Sequence, residues 1–220
     1  NKNLDTKQFS PCYIRNKISF IKNQMLSKIE IDKFFNTPID KVVAEVYEKY
    51  NDMMRINNSI DFDDLLLKPV QLFKKHRDVL EHYQDRFKYI LIDEYQDTNP
   101  VQYKLVKILS DKHRNIFVVG DVNQSIYAFR QADYRNIINF EKDYKDAKII
   151  KLEENYRSTN NILNAANSVI KNNQERKDLK LWSQKGEGVK IKYLRSYDEK
   201  HEVTLILSEI QKLLDEGYER

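Results

Sequence analysis

Residues 88–102 read KYILIDEYQDTNPVQ, and the rest of the chain is arranged around them. Tyr89-Ile90-Leu91-Ile92 is a short apolar run rich in aromatic and β-branched residues, the pattern of a strand buried on both faces. It stops on two adjacent carboxylates, Asp93 and Glu94. Asn99 and Pro100 read as an N-cap followed by a first-turn proline, so a helix begins there. A buried parallel strand that delivers an acidic pair to its C-terminal end is where open α/β sheets place ligand chemistry. Such a pair can divide the work, one carboxylate holding Mg²⁺ and the other polarising an attacking water. Taken by itself, the pair also fits a solvated acidic turn after a strand.

Downstream, residues 115–120 (NIFVVG) form a second apolar run that also ends on an aspartate, Asp121. Gln124 follows, with an amide able to bond a phosphate oxygen or a water. Tyr127 and Phe129 are aromatics two apart, with Arg130 beside them. Rings next to a guanidinium make a platform for unpaired bases, each stack contributing about 1–3 kcal/mol; the alternative is that both rings are core. Residues 148–152 read as a third strand. It leads to Tyr156 and Arg157, and Ser158 or Thr159 caps a helix running to about residue 171. Arg157 fits either neutralisation of charge on a transferred phosphoryl group or a surface salt bridge. Tyr156 offers either a ring for a purine or a packed tyrosine. Strand, helix, strand, helix, strand in this order implies parallel, right-handed crossovers.

Upstream, residues 1–60 read as helical. Ser10-Pro11 and Thr37-Pro38 are cap-plus-proline starts. After the second, Val42, Val43, Val46, Tyr47, Tyr50, Met53 and Met54 recur at helical spacing as a packing face. Lys17, Lys22, Lys28 and Lys33 are placed either to touch phosphates or to solvate a surface. Residues 61–75 open with Asp61 as a cap, and Phe62, Leu65, Leu66, Val70 and Phe73 are expected to face inward around Pro69. A second helix, 78–86, leads into the key strand. At the other end, Trp182, Gly186 and Gly188 mark a turn region, and 189–194 alternate like a half-buried strand. Residues 198–216 form a helix with Val203, Ile206, Leu207, Ile210 and Leu213 on one face.

With 40% hydrophobic and 33% charged residues over 220 positions, the chain reads as soluble and globular, long enough for a real core. A net charge of +4 permits a polyanionic partner without demanding one. The single Cys12 excludes an internal disulfide and a multi-cysteine zinc site, in keeping with a reducing compartment. No apolar stretch is long enough to span a bilayer, and no signal peptide is visible. None of the glycines, at 120, 186, 188 and 217, is followed by Lys-Ser or Lys-Thr, so these residues contain no phosphate-cradling P-loop. The chain opens on Asn1 and closes on a helix end, which suggests an excerpt of something longer.

Four stretches, DFDDLL (61–66), ILIDEYQDTN (90–99), VVGDVNQSIYAFRQA (118–132) and LEENYRST (152–159), resemble consecutive signature motifs of superfamily 1 DNA helicases of the UvrD/Rep/PcrA type. The resemblance runs through essentially the whole chain, the first sixty residues matching in character more than in motif. It implies an α/β fold: an incomplete helicase core with a RecA-like parallel sheet flanked by helices. Residues 1–60 would be the helical insertion 1B, 61–151 the second half of domain 1A, and 152–220 the start of domain 2A. The implied activity is ATP-driven 3′–5′ movement on single-stranded DNA with unwinding of the duplex, in the cytoplasm with the nucleoid. ATP and Mg²⁺ are the implied cofactors; single-stranded DNA and single-strand/duplex junctions are the implied partners.

By the same resemblance Asp93 holds Mg²⁺, Glu94 activates the water, and Gln124 senses the γ-phosphate. Tyr127 and Phe129 contact bases, with Arg130 nearby on the DNA or γ-phosphate side. Tyr156 stacks on adenine, Arg157 reaches the γ-phosphate, and Asp121 supports the site by hydrogen bonding. Gln131 stands where the motif usually has glycine, and is strained there if the position needs positive φ. Two other readings accompany this one: a non-catalytic module binding single-stranded DNA or a protein, and the motor part of a helicase–nuclease. Without a P-loop, the 220 residues by themselves are expected to be inactive.

Overall fold

The computed structural model describes residues 10–173 and 179–219. The chain divides into two compact units, Asn1–Lys148 and Ile149–Arg220.

The first unit opens with three helices, α1 (Pro11–Asn23), α2 (Lys28–Phe34) and α3 (Pro38–Ile56). Their starts are set by side-chain oxygens that accept orphan backbone N–H groups. Ser10 accepts from Tyr13, Thr37 from Asp40, and Ser27 forms a capping box with Glu30. Ile21, Ile31, Phe35 and Val43 make their common core. Met53, expected on the packing face of α3, is 62% exposed; α2 covers only the first half of that stripe.

The N-cap of the next helix is Asp63 rather than the expected Asp61, but Asp61 still serves the helix start, its Oδ1 accepting the Asp64 N–H at 2.8 Å. Helix α4 (Asp64–Lys75) runs through Pro69 and buries Leu67, Val70 and Phe73. Phe62 and Leu65 do not face inward: they are 90% and 53% exposed. Phe62 precedes the helix proper, and the buried face is carried by Leu67, one residue beyond the expected Leu66.

Helix α5 (Arg77–Arg86) then leads to strand β1 (Ile90–Ile92). Helix α6 (Pro100–Ser110) returns the chain to β2 (Ile116–Val118). The strands pair in parallel, Leu91 opposite Phe117. The pairing extends past Ile92, whose carbonyl accepts from Val119 N–H, while Val119 O accepts from Tyr95 N–H. Helix α7 (Arg135–Asp143) closes the unit and packs Phe140 edge-on to the buried Tyr95.

β1 is not buried on both faces. Leu91 and Phe117 stand 73% and 57% exposed on one side of a sheet of two strands. The third strand expected at 148–152 is absent, because nothing in the described residues pairs with that segment; only an isolated bridge between Glu154 and Trp182 follows it.

The second unit holds α8 (Asn160–Ile170) and α9 (Glu199–Asp215). Thr159 occupies the N-cap of α8 without bonding by its side chain. Instead, the carbonyls of Gly186 and Glu187 accept the N–H groups of Asn160 and Asn161. Residues 189–194 are irregular rather than a strand, since no neighbouring strand offers them a ladder. No helix among the described residues is long and apolar enough to cross a membrane.

Candidate nucleotide and DNA site

In the first unit the chain leaves β1 through a sharp bend. Asp93 Oδ1 accepts the N–H of Glu94 at 2.9 Å. Glu94 takes φ 50°, ψ 43°, a left-handed conformation that a residue with a Cβ adopts at a cost of about 1–2 kcal/mol. Both carboxylates stay exposed, whereas Tyr95 and Gln96 behind them are each 1% exposed.

Gln96 joins the two loops of the site. Its Nε2 donates to Glu94 Oε2 at 2.8 Å and, more weakly, to Asp97 Oδ2 at 3.4 Å. Its Oε1 accepts the N–H of Asp121 at 3.0 Å. Asp121 in turn organises the turn after β2: Oδ1 accepts from Asn123 N–H at 2.9 Å and Oδ2 from Gln124 Nε2 at 3.0 Å. A hydrogen-bonded chain thus runs from Glu94 through Gln96 and Asp121 to Gln124. Burial raises the Asp97 carboxyl above its ordinary range, and the neighbouring Glu94 carboxylate adds to this against the bond from Gln96.

Gly120 makes the approach possible. A Cβ there would lie 2.6 Å from Ile137 Cδ1 and 2.7 Å from Gln96 Oε1. The Asp-Glu pair and Gln124 were legible in the sequence, but Gln96 and Gly120 were not singled out. The signal available for Gln96 was its place two residues beyond Glu94, within reach of it across a tight turn.

Beyond this turn, Tyr127 and Phe129 are not core. They are 37% and 76% exposed, with ring centroids 5.8 Å apart. The Arg130 guanidinium sits 5.2 Å from the first ring and 5.5 Å from the second, so the three form one cationic aromatic surface. Gln131 has φ 66°, so the substitution for glycine does fall on a left-handed position. A cavity of about 910 Å³ opens beside Phe129 and Arg130, walled by Tyr13, Lys17 and Phe20 of α1 and by Phe62.

The lysines divide. Lys22 is buried, its Nζ 2.7 Å from Asp61 Oδ2 and 3.0 Å from Asp64 Oδ2, so it is neither a phosphate contact nor a solvating group. Lys28 pairs with Glu48 at the surface.

In the second unit, Tyr156 is 75% exposed. Its hydroxyl donates to Glu154 at 3.0 Å, which raises the phenol's pKa. Asn155 Oδ1 accepts the N–H of Arg157 at 2.9 Å and Lys185 Nζ donates to its carbonyl at 3.0 Å, so the backbone carrying Arg157 is held from both sides. Tyr156 also lines a pocket of about 350 Å³ with Glu154, Asn155, Ser183, Gln184 and Lys185.

Among the described residues no group of three or more His, Cys, Asp or Glu side chains is placed to hold a metal ion. Magnesium bound together with a nucleotide asks less, since phosphates and waters complete its shell around one or two carboxylates. Asp93 fits that lesser demand: it is exposed at the strand end and uses one oxygen locally.

A parallel strand pair thus ends in an acidic bend that is bridged to a glutamine-bearing turn beside an aromatic surface. Residues 1–145 match the UvrD/REP helicase N-terminal domain and residues 150–220 the UvrD-like helicase C-terminal domain. The chain belongs to the UvrD/REP helicase family. Over 211 residues it is 47% identical to the ATP-dependent DNA helicase PcrA of Leuconostoc citreum, covering 96% of this chain and 28% of that protein. Over 212 residues it is 47% identical to PcrA of Staphylococcus aureus strain Mu50 and 46% to that of Staphylococcus epidermidis, covering 96% of this chain and 29% of each. The chain therefore spans less than a third of the length of these relatives.

Proposed function

We propose that these residues are the central part of an ATP-dependent DNA helicase that couples hydrolysis to 3′–5′ movement on single-stranded DNA and to unwinding at duplex junctions, in the cytoplasm. The observation that carries the reading is the continuous hydrogen-bonded chain from Glu94 to Gln124. It places an exposed carboxylate and an exposed amide on linked turns at the carboxyl ends of adjacent parallel strands. In this reading residues 1–60 correspond to the helical insertion, 61–151 to the second half of a RecA-like domain, and 152 onward to the start of a second one.

Glu94 accepts a proton from the attacking water, and Gln124 senses the γ-phosphate. Arg157 neutralises charge developing on the transferred group, and Tyr156 stacks on the adenine. Asp93 would hold Mg²⁺, which when bound neutralises phosphate charge. Tyr127, Phe129 and Arg130 stack and clamp unpaired bases, a role supported by their exposure and mutual packing.

Steady-state ATP hydrolysis, with and without single-stranded DNA, tests this in a full-length protein carrying the chain. Glu94→Gln is expected to lower kcat by about 10²–10⁴-fold. Wild-type turnover in that variant refutes the assignment. The 220 residues alone, which hold no P-loop, are expected to turn over no ATP.

The exposed aromatic surface also favours a second reading, a module that binds single-stranded DNA without hydrolysis. Salt-dependent binding lost in a Tyr127→Ala/Phe129→Ala variant, in a full-length protein that also lacks a P-loop, would select it.

A further inference from the structure

We infer that Gln96 is a positioning residue that makes Glu94 and the turn of Asp121–Gln124 move as one body; this rests on the reading of Glu94 as the base. The side chain is 1% exposed, yet its amide serves both turns. Nε2 faces the carboxylates of Glu94 and Asp97, and Oε1 faces the backbone N–H of Asp121. Rotating the amide by half a turn would set its oxygen against two carboxylates and its NH₂ against an N–H. The orientation is therefore unique.

The Glu94 backbone is left-handed, a conformation kept only where the surroundings over-determine it. The Gln96 amide reaches across to the other strand's turn at 3.0 Å, and the Ser125 hydroxyl returns a longer bond, 3.5 Å, to the Gln96 carbonyl. From that turn the same segment continues into Tyr127, Phe129 and Arg130. Displacement of the aromatic surface is thereby felt at Asp121 N–H and, through one rigid amide, at the Glu94 carboxylate. Gly120 serves the same coupling from the far side, since its missing Cβ is what lets Asp121 N–H come within bonding distance of Gln96.

The test uses a full-length protein carrying the chain, with ATP turnover measured at saturating single-stranded DNA. Gln96→Leu fills the same space without either bond. It is expected to lower kcat about 10–100-fold, as removal of a supporting hydrogen-bond partner commonly does. KM for ATP and affinity for an oligonucleotide are expected to stay within about twofold, because the residue touches neither ligand. Combining it with Gln124→Ala should cost no more than the worse single change, since both cut one chain of bonds. Should Gln96→Leu fail to fold, Gln96→Met decides. It keeps the unbranched length of the side chain without an N–H donor to Glu94, and the same loss in kcat at unchanged KM is expected.

A wild-type kcat in the folded Gln96 variant overturns the inference, as do losses that multiply in the double variant. These results leave the reading of Glu94 intact provided Glu94→Gln is inactive. If Glu94→Gln itself retains full turnover, that reading fails, and this inference with it.

Discussion

The two units use the same local signals to different ends. In the first unit, caps and apolar stripes close on one another, and it holds nearly all of the buried apolar side chains, from Ile18 to Tyr144. In the second unit Leu163 is the one buried apolar side chain among the described residues. Helix α9 is as well specified as any, with Asp198 accepting the N–H of His201 at its start and Gly217 at φ 92° after its end. Even so, its stripe of Val203, Ile206, Leu207, Ile210 and Leu213 is 38–60% exposed. A helix is specified by its own sequence, whereas burial needs a second surface. The difference also separates the site: the Glu94–Gln124 network sits in packed surroundings, while Tyr156 and Arg157 ride on a loop held chiefly by Asn155 and Lys185.

The strongest attempt to break this contrast removes the buried charge at the junction of α1, α3 and α4. Lys22→Ala leaves Asp61 and Asp64 without their cation and is expected to cost about 3–5 kcal/mol. Far-UV circular dichroism, which follows mainly the helices of the first unit, reports the loss. Fluorescence of the single Trp182, in the second unit, should move little.

The pH dependence follows from the same cluster. Burial opposes charge on both Lys22 and Asp61, but the bonds of Lys22 to Asp61 and Asp64, and those of Asp61 with Lys22, Tyr50 and the Asp64 N–H, together outweigh it, raising the lysine pKa and lowering the aspartate's. Asp61 therefore stabilises the fold above about pH 3.9, its unfolded value, and this is lost as pH falls through the folded value. Lys22 contributes fully below about pH 10.4 and loses its part as pH rises through its folded value. Tyr50, pushed up to about 12 by burial and by its bond to Asp61, also withdraws stability on the alkaline side. Denaturation midpoints measured across this range should show a plateau with both shoulders in wild type; in Lys22→Ala both should shrink, the alkaline one to the share of Tyr50 and the acid one to what Tyr50 and the Asp64 N–H still give Asp61.

A paired truncation sharpens the contrast. Leu67→Ala, in the core of the first unit, is expected to cost about 2–5 kcal/mol in urea denaturation. Leu207→Ala, on the open stripe of α9, should change stability by less than about 0.5 kcal/mol. Equal losses would mean that the stripe is covered in solution.

The smallest effect is at Gln131. Gln131→Gly relieves a left-handed residue with φ 66° but forfeits a 3.3 Å hydrogen bond to Ser19 and adds freedom to the unfolded chain, so the thermal transition should move by less than about 0.5 kcal/mol.

Much of the site was legible because its chemistry is local. Asp93 and Glu94 are neighbours at the end of an apolar run, Asn99-Pro100 starts a helix wherever it is placed, and Tyr127, Phe129 and Arg130 lie within one turn of each other. Long-range pairing was not legible. Nothing in the composition around Gln96 says that its partner lies 25 residues away at Asp121. Nor does anything around Lys22 say that it meets Asp61, 39 residues on. The strands expected at 148–152 and 189–194 have suitable sequences but no ladder to join, since a strand's hydrogen bonds are all made to another segment.

What the sequence determined alone is where helices start, which faces they make apolar, and which side chains can do phosphate and base chemistry. These depend on bonds and spacings within a few residues. Only the tertiary structure decided which of those faces are covered, that Gln131 and Glu94 sit at left-handed positions, and that a buried amide ties the acidic bend to the glutamine turn. Each of these is set by groups far apart in the chain, whose meeting depends on packing that no local pattern encodes.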